Sequence, residues 1–432
     1  MSSSLFFNLS LLYDEVIFTK YYIDIYNDKY YIEYVTLNVR DYSMDELYKN
    51  YPHISFKRKW TLKDDTLYEL GQCNGIITAL HDTPISPEYR KRLLSVSLLK
   101  GAQATTAIEG NTLSYDEIEI IQGGKNLPPS KEYQEIEVKN VLDAFNYLLN
   151  ETTGKNTSNI ISVELIKTFH KMVGKNLGEH FQAIPGNFRN NNVIVGDYKP
   201  PDYKFVEKLI RHFCEWSIEY FHYDKGQNFM ESVIQAIVSH IYIAWIHPFS
   251  DGNGRTARLL EFYILLRAGN PDFASHLLSN YYNLTRPEYY RHLDKSRKTG
   301  DISDFISYAV KGYRDGLLHV LSIVQNNQFE IAWKNFIHET LQIKKTRGKS
   351  ENLNKRRRDL MLHIPIGQKL ALDEIVSLNV NIAIIYNQLS KRTLMRDIKE
   401  LIDLELLLFD NNTYYANIDL LKKNISHRKN KR

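Results

Sequence analysis

The stretch HPFSDGNGRTAR, from His247 to Arg258, decides how the centre of this 432-residue chain folds. It follows the apolar segment IQAIVSHIYIAWI, 234–246, and precedes an amphipathic one, so a helix, a short loop and a second helix are predicted. Gly252 and Gly254 let the loop backbone approach a ligand without Cβ atoms in the way. Because the second helix begins here, its free N–H groups and positive dipole end form a nest for an anion.

The charged side chains of this stretch suit a polyphosphate that carries Mg²⁺. Arg255 and Arg258 are three residues apart and project from one side of the helix. Asp251 adds one carboxylate, which can hold Mg²⁺ together with phosphate oxygens and water. His247, with an ordinary pKa of about 6.5, can accept a proton from an attacking hydroxyl. Each residue alone also fits a turn, a solvated helix face or a helix cap, but their conjunction within one short stretch favours a site.

The chain contains neither a Walker A pattern nor GxGxxG, so no P-loop or Rossmann interpretation competes. HPFSDGNGRTAR matches HxFx(D/E)GNGRxxR in full and thereby resembles Fic-domain adenylyltransferases. The resemblance implies transfer of AMP from ATP to a Ser, Thr or Tyr hydroxyl of a protein target, or of this chain itself. It also implies that His247 is the base, that Asp251 holds Mg²⁺ and that Phe249 anchors the loop. The implied ATP contacts are Gly252, Asn253, Gly254, Arg255, Thr256 and Arg258.

The resemblance extends over about residues 65–315. GNFRNNNVIVG, 186–196, resembles the flap of this family, a β-hairpin whose edge docks the target segment. Tyr281, in LSNYYNLTRPEYY, is implied to line the adenine pocket, with a packing role as the alternative. The flap backbone implied to lie near the nucleotide belongs to Val193, Ile194, Val195 and Gly196.

A second motif, TTAIEG, starts at Thr105, ends at Gly110 and fits the (S/T)xxxE(G/N) inhibitory motif that this family carries on a helix. The resemblance implies that Glu109 pairs with Arg258 and fills the space that the γ-phosphate needs. A carboxylate and a phosphate would then compete for one guanidinium. We expect an autoinhibited site in which Glu109→Gly raises AMP transfer, although Glu109 by itself also fits an ordinary surface carboxylate.

Composition is that of a globular chain, with 43% hydrophobic and 25% charged residues and a net charge of only +4. Cys73 and Cys214 lie too far apart for a metal-binding or disulfide pattern, so we expect a cytoplasmic, reducing location. The N-terminus lacks the basic region of a signal peptide, and 234–246 is shorter than the roughly 20 residues that span a membrane. No membrane partner is therefore expected.

The predicted fold is mainly α: an all-helical Fic core with a small β-hairpin flap, an N-terminal module and a C-terminal winged helix-turn-helix. Aromatic and β-branched alternation predicts short strands or an irregular module before about residue 60, and helical periodicity dominates from 64 to about 345. The basic segment 344–358 fits a linker and a solvated helix equally well. The predicted domains are 1–115 with the inhibitory motif, 116–343 with the catalytic site and 355–420 with the winged helix.

Three helical segments followed by a hairpin around Asn411 and Asn412 are the layout of a winged helix-turn-helix, with 390–404 as its recognition helix. Four cations there could face phosphates: Lys391, Arg392, Arg396 and Lys399. Four acids offset them in sequence: Asp397, Glu400, Asp403 and Glu405. DNA, a protein partner and a homodimer therefore all remain open.

Two other functions remain open at this point. The same site could remove AMP or transfer another nucleotide, or the chain could be a DNA-binding regulator that only senses a nucleotide. The intact His247 favours catalysis, because a sensor has no use for a base.

Overall fold

The computed structural model describes residues 5–12, 15–26, 29–37, 42–153, 161–221, 229–343 and 349–422, and most of them are helical. The strands and helices, in chain order, are β1 Leu5–Leu12, β2 Glu15–Tyr26, β3 Lys29–Leu37, α1 Tyr42–Asn50, α2 Asp64–Asp82, α3 Pro87–Ile108, α4 Tyr115–Gln122, α5 Glu132–Thr153, α6 Val163–Val173, α7 Val206–Tyr220, α8 Phe229–Ile246, α9 Asn253–Arg267, α10 Leu277–Leu284, α11 Arg286–Thr299, α12 Ser303–Ile343, α13 Lys349–His363, α14 Leu372–Val376, α15 Val380–Asn387, α16 Lys391–Asp403, β4 Leu407–Asp410, β5 Thr413–Ala416 and α17 Asp419–Lys422.

The chain divides into two compact units. The first comprises Met1–Asn74 and Arg92–Arg314, and the second Gly75–Lys91 and Asp315–Arg432. This division differs from the boundaries predicted at 115/116 and between 343 and 355. The reason is that α2, α3 and α12 each continue without a break from residues of one unit into residues of the other.

The N-terminal strands predicted from the alternating pattern are present. β1, β2 and β3 form an antiparallel sheet in that order, with Phe7 opposite Lys20 and Tyr21 opposite Tyr34. Aromatic and β-branched residues dominate these strands, as expected for a pleated surface.

The helix, loop and helix predicted around the central motif are α8, 247–252 and α9. α8 lies in the core of the first unit, where α9 packs against it and against α5 and α6. Within the described part of the chain, α8 alone is long and apolar enough to cross a membrane, and 83% of its residues are buried inside the protein. The apolar residues of α8 thus pack in the protein core. Because α8 is buried, the start of the loop that follows it is fixed in place.

The flap segment, 186–196, has less β structure than predicted. Its only β pairing among the described residues joins Val195 to Tyr198, with N–H···O distances of 2.8 and 2.9 Å. Gly196, with φ of 60°, forms the tight turn between them. Two prolines follow at 200 and 201, and proline lacks the N–H that a longer ladder requires.

The second unit ends with the predicted order of helices and hairpin. α13 begins at Lys349, so 349–358 is helical, while 344–348 lies outside the described residues. The predicted third helix is α16, and β4 and β5 are joined by Asn411 and Asn412 with φ of 47° and 62°, as a two-residue hairpin turn requires. Leu370 pairs with Tyr414 through bonds of 2.9 and 2.7 Å and adds a third short β segment that the sequence did not reveal.

Candidate active site

The loop between α8 and α9 has a tightly specified backbone. His247 has φ of 51°, which is uncommon for a residue with a side chain and persists only where neighbours hold it. Gly252 has φ of 77°, and a Cβ there would lie 2.9 Å from the Phe181 ring. Glycine is therefore required at 252 both by conformation and by space.

Asn253 shapes this loop through its side chain. Its Oδ1 accepts from the Phe249 N–H at 2.9 Å, and its Nδ2 donates to the Phe249 carbonyl at 2.8 Å. Both polar ends of the side chain are thus used within the protein. The resemblance implied a phosphate contact for Asn253, which this geometry restricts to its backbone N–H at the start of α9.

Phe249 is fully buried and stacks on His170, with ring centroids 3.6 Å apart and an interplanar angle of 3°. The Gly186 N–H donates to Nδ1 of His170 at 2.9 Å, so the ring proton is on Nε2, which donates to the Asp251 carbonyl at 2.9 Å. Burial lowers the pKa of His170 to about 4, which keeps this tautomer neutral. His170 links α6, the flap and the loop, and no local motif in the sequence marks it.

Arg189, also missed from the sequence, holds the carbonyl of His247. Its Nε donates to that carbonyl at 2.8 Å, and its own N–H donates to the Pro248 carbonyl at 3.0 Å. The side chain is buried, and its Nη2 donates to the carbonyl of Pro201. Arg189 therefore stabilises the unusual backbone of His247 from the base of the flap.

His247 is neutral at cellular pH. Burial lowers its pKa to about 4, and the positive charge of Arg189 acts in the same direction, while a hydrogen bond to the backbone of Ala244 opposes them. With one ring nitrogen bonded to the backbone, the other nitrogen of the neutral ring has a lone pair that can accept a proton.

Asp251 lies at the mouth of the loop, with about 29% of its side chain exposed. Its Oδ1 accepts from the Gly252 N–H at 2.5 Å and from Nη2 of Arg255 at 3.1 Å. Its Oδ2 accepts from the Gln182 N–H at 3.2 Å. No group of three His, Cys, Asp or Glu side chains able to hold a metal ion occurs among the described residues, and Asp251 is the one carboxylate within 247–258.

Arg255 is buried and paired with an acid that the sequence did not reveal. Its Nη1 donates to Oε1 of Glu137, whose Oε2 accepts from Nδ2 of Asn111 at 3.0 Å. Arg255 thus bridges α5 and the loop through Glu137 and Asp251. Its Nε is buried and has no hydrogen-bond acceptor among the described residues.

Arg258 is held by the segment that carries the second motif. Its Nε donates to Oγ1 of Thr105 at 2.6 Å, and its Nη2 donates to the Thr105 carbonyl at 3.0 Å and to Oε1 of Glu109 at 2.5 Å. The third nitrogen, Nη1, is buried without an acceptor in the described part of the chain. These bonds connect residues 149 and 153 positions apart.

Glu109 covers the nest at the start of α9. A Cβ built on Gly254 would lie 2.2 Å from Oε1 of Glu109, so the carboxylate rests directly on this glycine. The helix α3 ends at Ile108, and Gly110 has φ of 101°, so Glu109 belongs to a turn just beyond the helix on which it was predicted. Burial raises the pKa of the Glu109 carboxyl, but the neighbouring Arg258 more than offsets this, and the net pKa is lowered.

Five further predicted positions are less closely tied to the loop. Thr256 is fully buried in α9, and its side-chain oxygen has no partner among the described residues. In the flap, Ile194 and Val195 are 74% and 40% exposed, beside the half-buried Val193. Tyr281 packs on Tyr308 of α12 at a centroid distance of 4.9 Å, as its packing alternative anticipated.

Comparison with known proteins bears out the resemblance over part of the chain. Residues 160–265 match the Fic/DOC family. The chain is 31% identical over 233 residues to the protein adenylyltransferase Fic of Nematostella vectensis, covering 54% of this chain and 51% of that protein. It is 30% identical over 207 residues to the protein adenylyltransferase fic-1 of Caenorhabditis elegans, covering 48% of this chain and 38% of that protein. The chain thus spans about half, or less, of the length of these relatives.

Among solved structures, a Fic family protein from Desulfovibrio desulfuricans G20 superposes with a TM-score of 0.51 at 18% identity. The likeness covers 83% of this chain and 98% of that one. It confirms the mainly helical fold.

Proposed function

We propose that this protein transfers AMP from ATP to a hydroxyl group of a protein substrate. The observation that carries the proposal is the conjunction of a neutral His247 with a glycine-lined helix start and a buried guanidinium that still has an unused donor. The similarity to two curated protein adenylyltransferases supports the same activity.

The residues at the start of α9 suit the phosphates of ATP. Nη1 of Arg258 and Nε of Arg255 are buried donors without acceptors among the described residues, and such groups normally have partners. Phosphate oxygens would be the acceptors that these two donors lack. The N–H groups of the first turn of α9 and the positive end of its dipole add to this attraction.

In the proposed reaction, the substrate hydroxyl oxygen attacks the α-phosphorus of ATP. A P–O bond forms to that oxygen while the bond between the α-phosphorus and the oxygen bridging to the β-phosphate breaks, and pyrophosphate leaves. His247 takes the hydroxyl proton, which it can do because it is neutral. The donors of Arg255 and Arg258 stabilise the negative charge on the phosphates.

Asp251 fits a role as the protein ligand of Mg²⁺. A carboxylate offers about four lone-pair sites, and three on Asp251 are used by Gly252, Gln182 and Arg255. Mg²⁺ commonly takes only one or two protein carboxylates, with phosphate oxygens and water completing its shell. When bound, the ion would neutralise phosphate charge. We expect EDTA, and Asp251→Ala in the presence of Mg²⁺, each to abolish AMP transfer; full activity in either case would remove Asp251 from this role.

We further propose that Glu109 restrains the reaction. Support comes from its position against Gly254 and its bond to Arg258, since a phosphate at the start of α9 would need both. Carboxylate and phosphate oxygens compete for the same charge-assisted donors. Thr105 and Gly110 assist by holding Arg258 and by turning the chain after α3.

Three wider proposals accompany this activity. The exposed Ile194 of the flap suits contact with the protein target. Ile194→Asp should therefore weaken AMP transfer to that target but leave unchanged the release of pyrophosphate when water replaces the target hydroxyl. Cys73 and Cys214 are buried and form no disulfide bond, which suits the cytoplasm, and fractionation of the source cells would test this location. The order of α13, Leu370, α15, α16 and the β4–β5 hairpin supports a winged helix-turn-helix in 355–420, and a crystal structure with another strand order would contradict it.

The identity of the transferred group tests the main proposal. The Glu109→Gly variant is incubated with a lysate of the source cells and ATP labelled either on the α- or on the γ-phosphate, with Glu109→Gly/His247→Ala as the control. We expect protein-bound label from α-labelled ATP only, lost in the control. Retention of the γ-label would indicate phosphorylation instead, and no label from either ATP would contradict nucleotide transfer.

A further inference from the structure

The first three turns of α16 present four cations on one face. All four are exposed, and none takes part in an ion pair within the described part of the chain. At 100° per residue they fall on an arc of about 140°. With a rise of 1.5 Å per residue they extend over about 12 Å. The cations are Lys391, Arg392, Arg396 and Lys399.

The acids that offset these cations in sequence do not do so in space. Asp397 is fully buried, where its oxygens accept from Nε of Arg356 at 2.7 Å and from Nε of Arg357 at 3.0 Å. Glu400 lies 3.9 Å from Nη1 of Arg357 and thus also pairs with α13. Asp403 and Glu405 remain exposed, but the first is the last residue of the helix and the second lies two residues beyond it. The face around the first three turns of α16 is therefore basic.

A groove runs along this face, between α16 and the β4–β5 hairpin. Its lining includes Arg392, Arg396, Lys399 and the exposed ring of Phe409, and it includes no acidic side chain. Met395, 42% exposed, lies between the cations. Cations in a row with an apolar side chain among them suit a ligand that offers regularly spaced negative charge and an apolar edge.

We propose that this face binds double-stranded DNA, with α16 in the major groove. B-form DNA has a major groove of about 12 Å, wide enough for one helix, and carries one charge per about 1.7 Å of axis. Thymine methyl groups would meet Met395. Double-stranded RNA is disfavoured because its major groove is too narrow for a helix. An acidic protein segment is disfavoured because a peptide helix offers its carboxylates from one side only, whereas two phosphate backbones flank a helix that lies in the major groove.

The salt dependence of binding tests this proposal on the full chain. The probe is a fluorescein-labelled duplex of mixed sequence, followed by anisotropy at 50 and 200 mM salt. Four phosphate contacts predict a slope of log K against log salt of about −3.6, hence about a 150-fold loss of affinity over this range. We expect duplex RNA of the same length and an acidic polyglutamate peptide to compete poorly.

One lysine variant and one double arginine variant test whether DNA binds at this face. Lys399→Gln should weaken binding about eightfold at 0.1 M salt, as expected for one lost phosphate contact, and Arg392→Gln/Arg396→Gln should halve the salt slope. Lys311→Gln is the matched control, because Lys311 is exposed on α12, in the first unit, and has no ion pair in the described residues. Circular dichroism checks that each variant is folded. No binding at 50 mM salt, equal losses for Lys399→Gln and Lys311→Gln, or stronger binding of the peptide than of DNA would each overturn the proposal.

Discussion

Two carboxylates in different parts of the molecule hold buried arginines, and their surroundings differ. Glu109 lies in a turn beyond the end of α3, keeps about 31% of its side chain exposed and holds one nitrogen of Arg258. Asp397 lies within α16, is 0% exposed and binds two arginines and the hydroxyl of Tyr386. A carboxylate that contacts solvent can separate from its arginine because water then hydrates it, whereas a fully buried carboxylate has no water to replace the arginine. Glu109 therefore suits a switch, and Asp397 a structural connection.

Glu137 resembles Asp397, although it contacts the motif. Its side chain and that of Arg255 are only 4% and 3% exposed. It also accepts from Asn111 and from the hydroxyl of Tyr133 at 3.0 Å each. Two arginines three residues apart on α9 thus have partners in different surroundings: the carboxylate beside Arg255 is buried, and the one beside Arg258 is partly exposed.

The largest effect should follow from Asp397→Asn. Without the carboxylate, the partly buried Arg356 loses its partner and the buried Arg357 keeps only Glu400 at 3.9 Å, so the free energy of unfolding should fall by about 5 kcal/mol, the upper end for breaking a buried pair. Urea denaturation measures this. Asp403→Asn, an exposed position on the same helix, serves as the control and should change it by less than about 0.5 kcal/mol. Equal stability of both variants would show that burial does not distinguish the two regions.

Glu137→Gln should follow, with a loss of about 3 kcal/mol in the free energy of unfolding, because the buried Arg255 loses its buried partner and keeps only Asp251, at 3.1 Å. Glu132→Gln, exposed on the same helix, is the matched control. AMP transfer should fall as well, since Arg255 would no longer be oriented. A rise in activity would instead assign Glu137 to inhibition.

Glu109→Gly should lower the free energy of unfolding by only about 1 kcal/mol, because this pair is partly exposed. AMP transfer should nevertheless rise about 5- to 150-fold, the usual range of a coupling free energy of 1–3 kcal/mol. Glu109→Gln separates charge from volume: both variants are activated if the negative charge excludes phosphate, and only Glu109→Gly if the side-chain volume does. A rate unchanged in both would remove the restraint.

The smallest effect concerns the pH dependence of the reaction. With the pKa of His247 at about 4, the base stays unprotonated between pH 6 and 8, so the rate of AMP transfer by Glu109→Gly should be flat there and fall only as the pH approaches 4. A histidine of ordinary pKa would lose about fourfold from pH 8 to 6. Single-turnover rates measure the difference, and a fourfold fall would mean that burial does not act on His247 as the structure indicates.

Much of the fold followed from local patterns. Apolar periodicity indicated the helices, the alternating N-terminal residues indicated strands, and Asn411 with Asn412 marked a hairpin turn that the structure contains. The flap was overestimated because the run VIV is β-prone, yet only Val195 finds a partner across the turn. The domain boundaries differ because helical periodicity does not indicate where a long helix changes its packing partners.

The sequence by itself determined the chemical groups of the loop: twelve consecutive residues contain the proposed base, the proposed metal carboxylate, the glycines and both arginines. These residues are consecutive in the chain, so their spacing does not depend on how the other helices are arranged. Only the tertiary structure decided what faces them. Glu137 and Glu109 lie 118 and 149 residues from their arginines, and His170 and Arg189 reach the loop from other segments. In the folded chain Asp397 is likewise buried and the cations of α16 are exposed. Burial depends on the neighbouring helices and not on the order of charges along the chain.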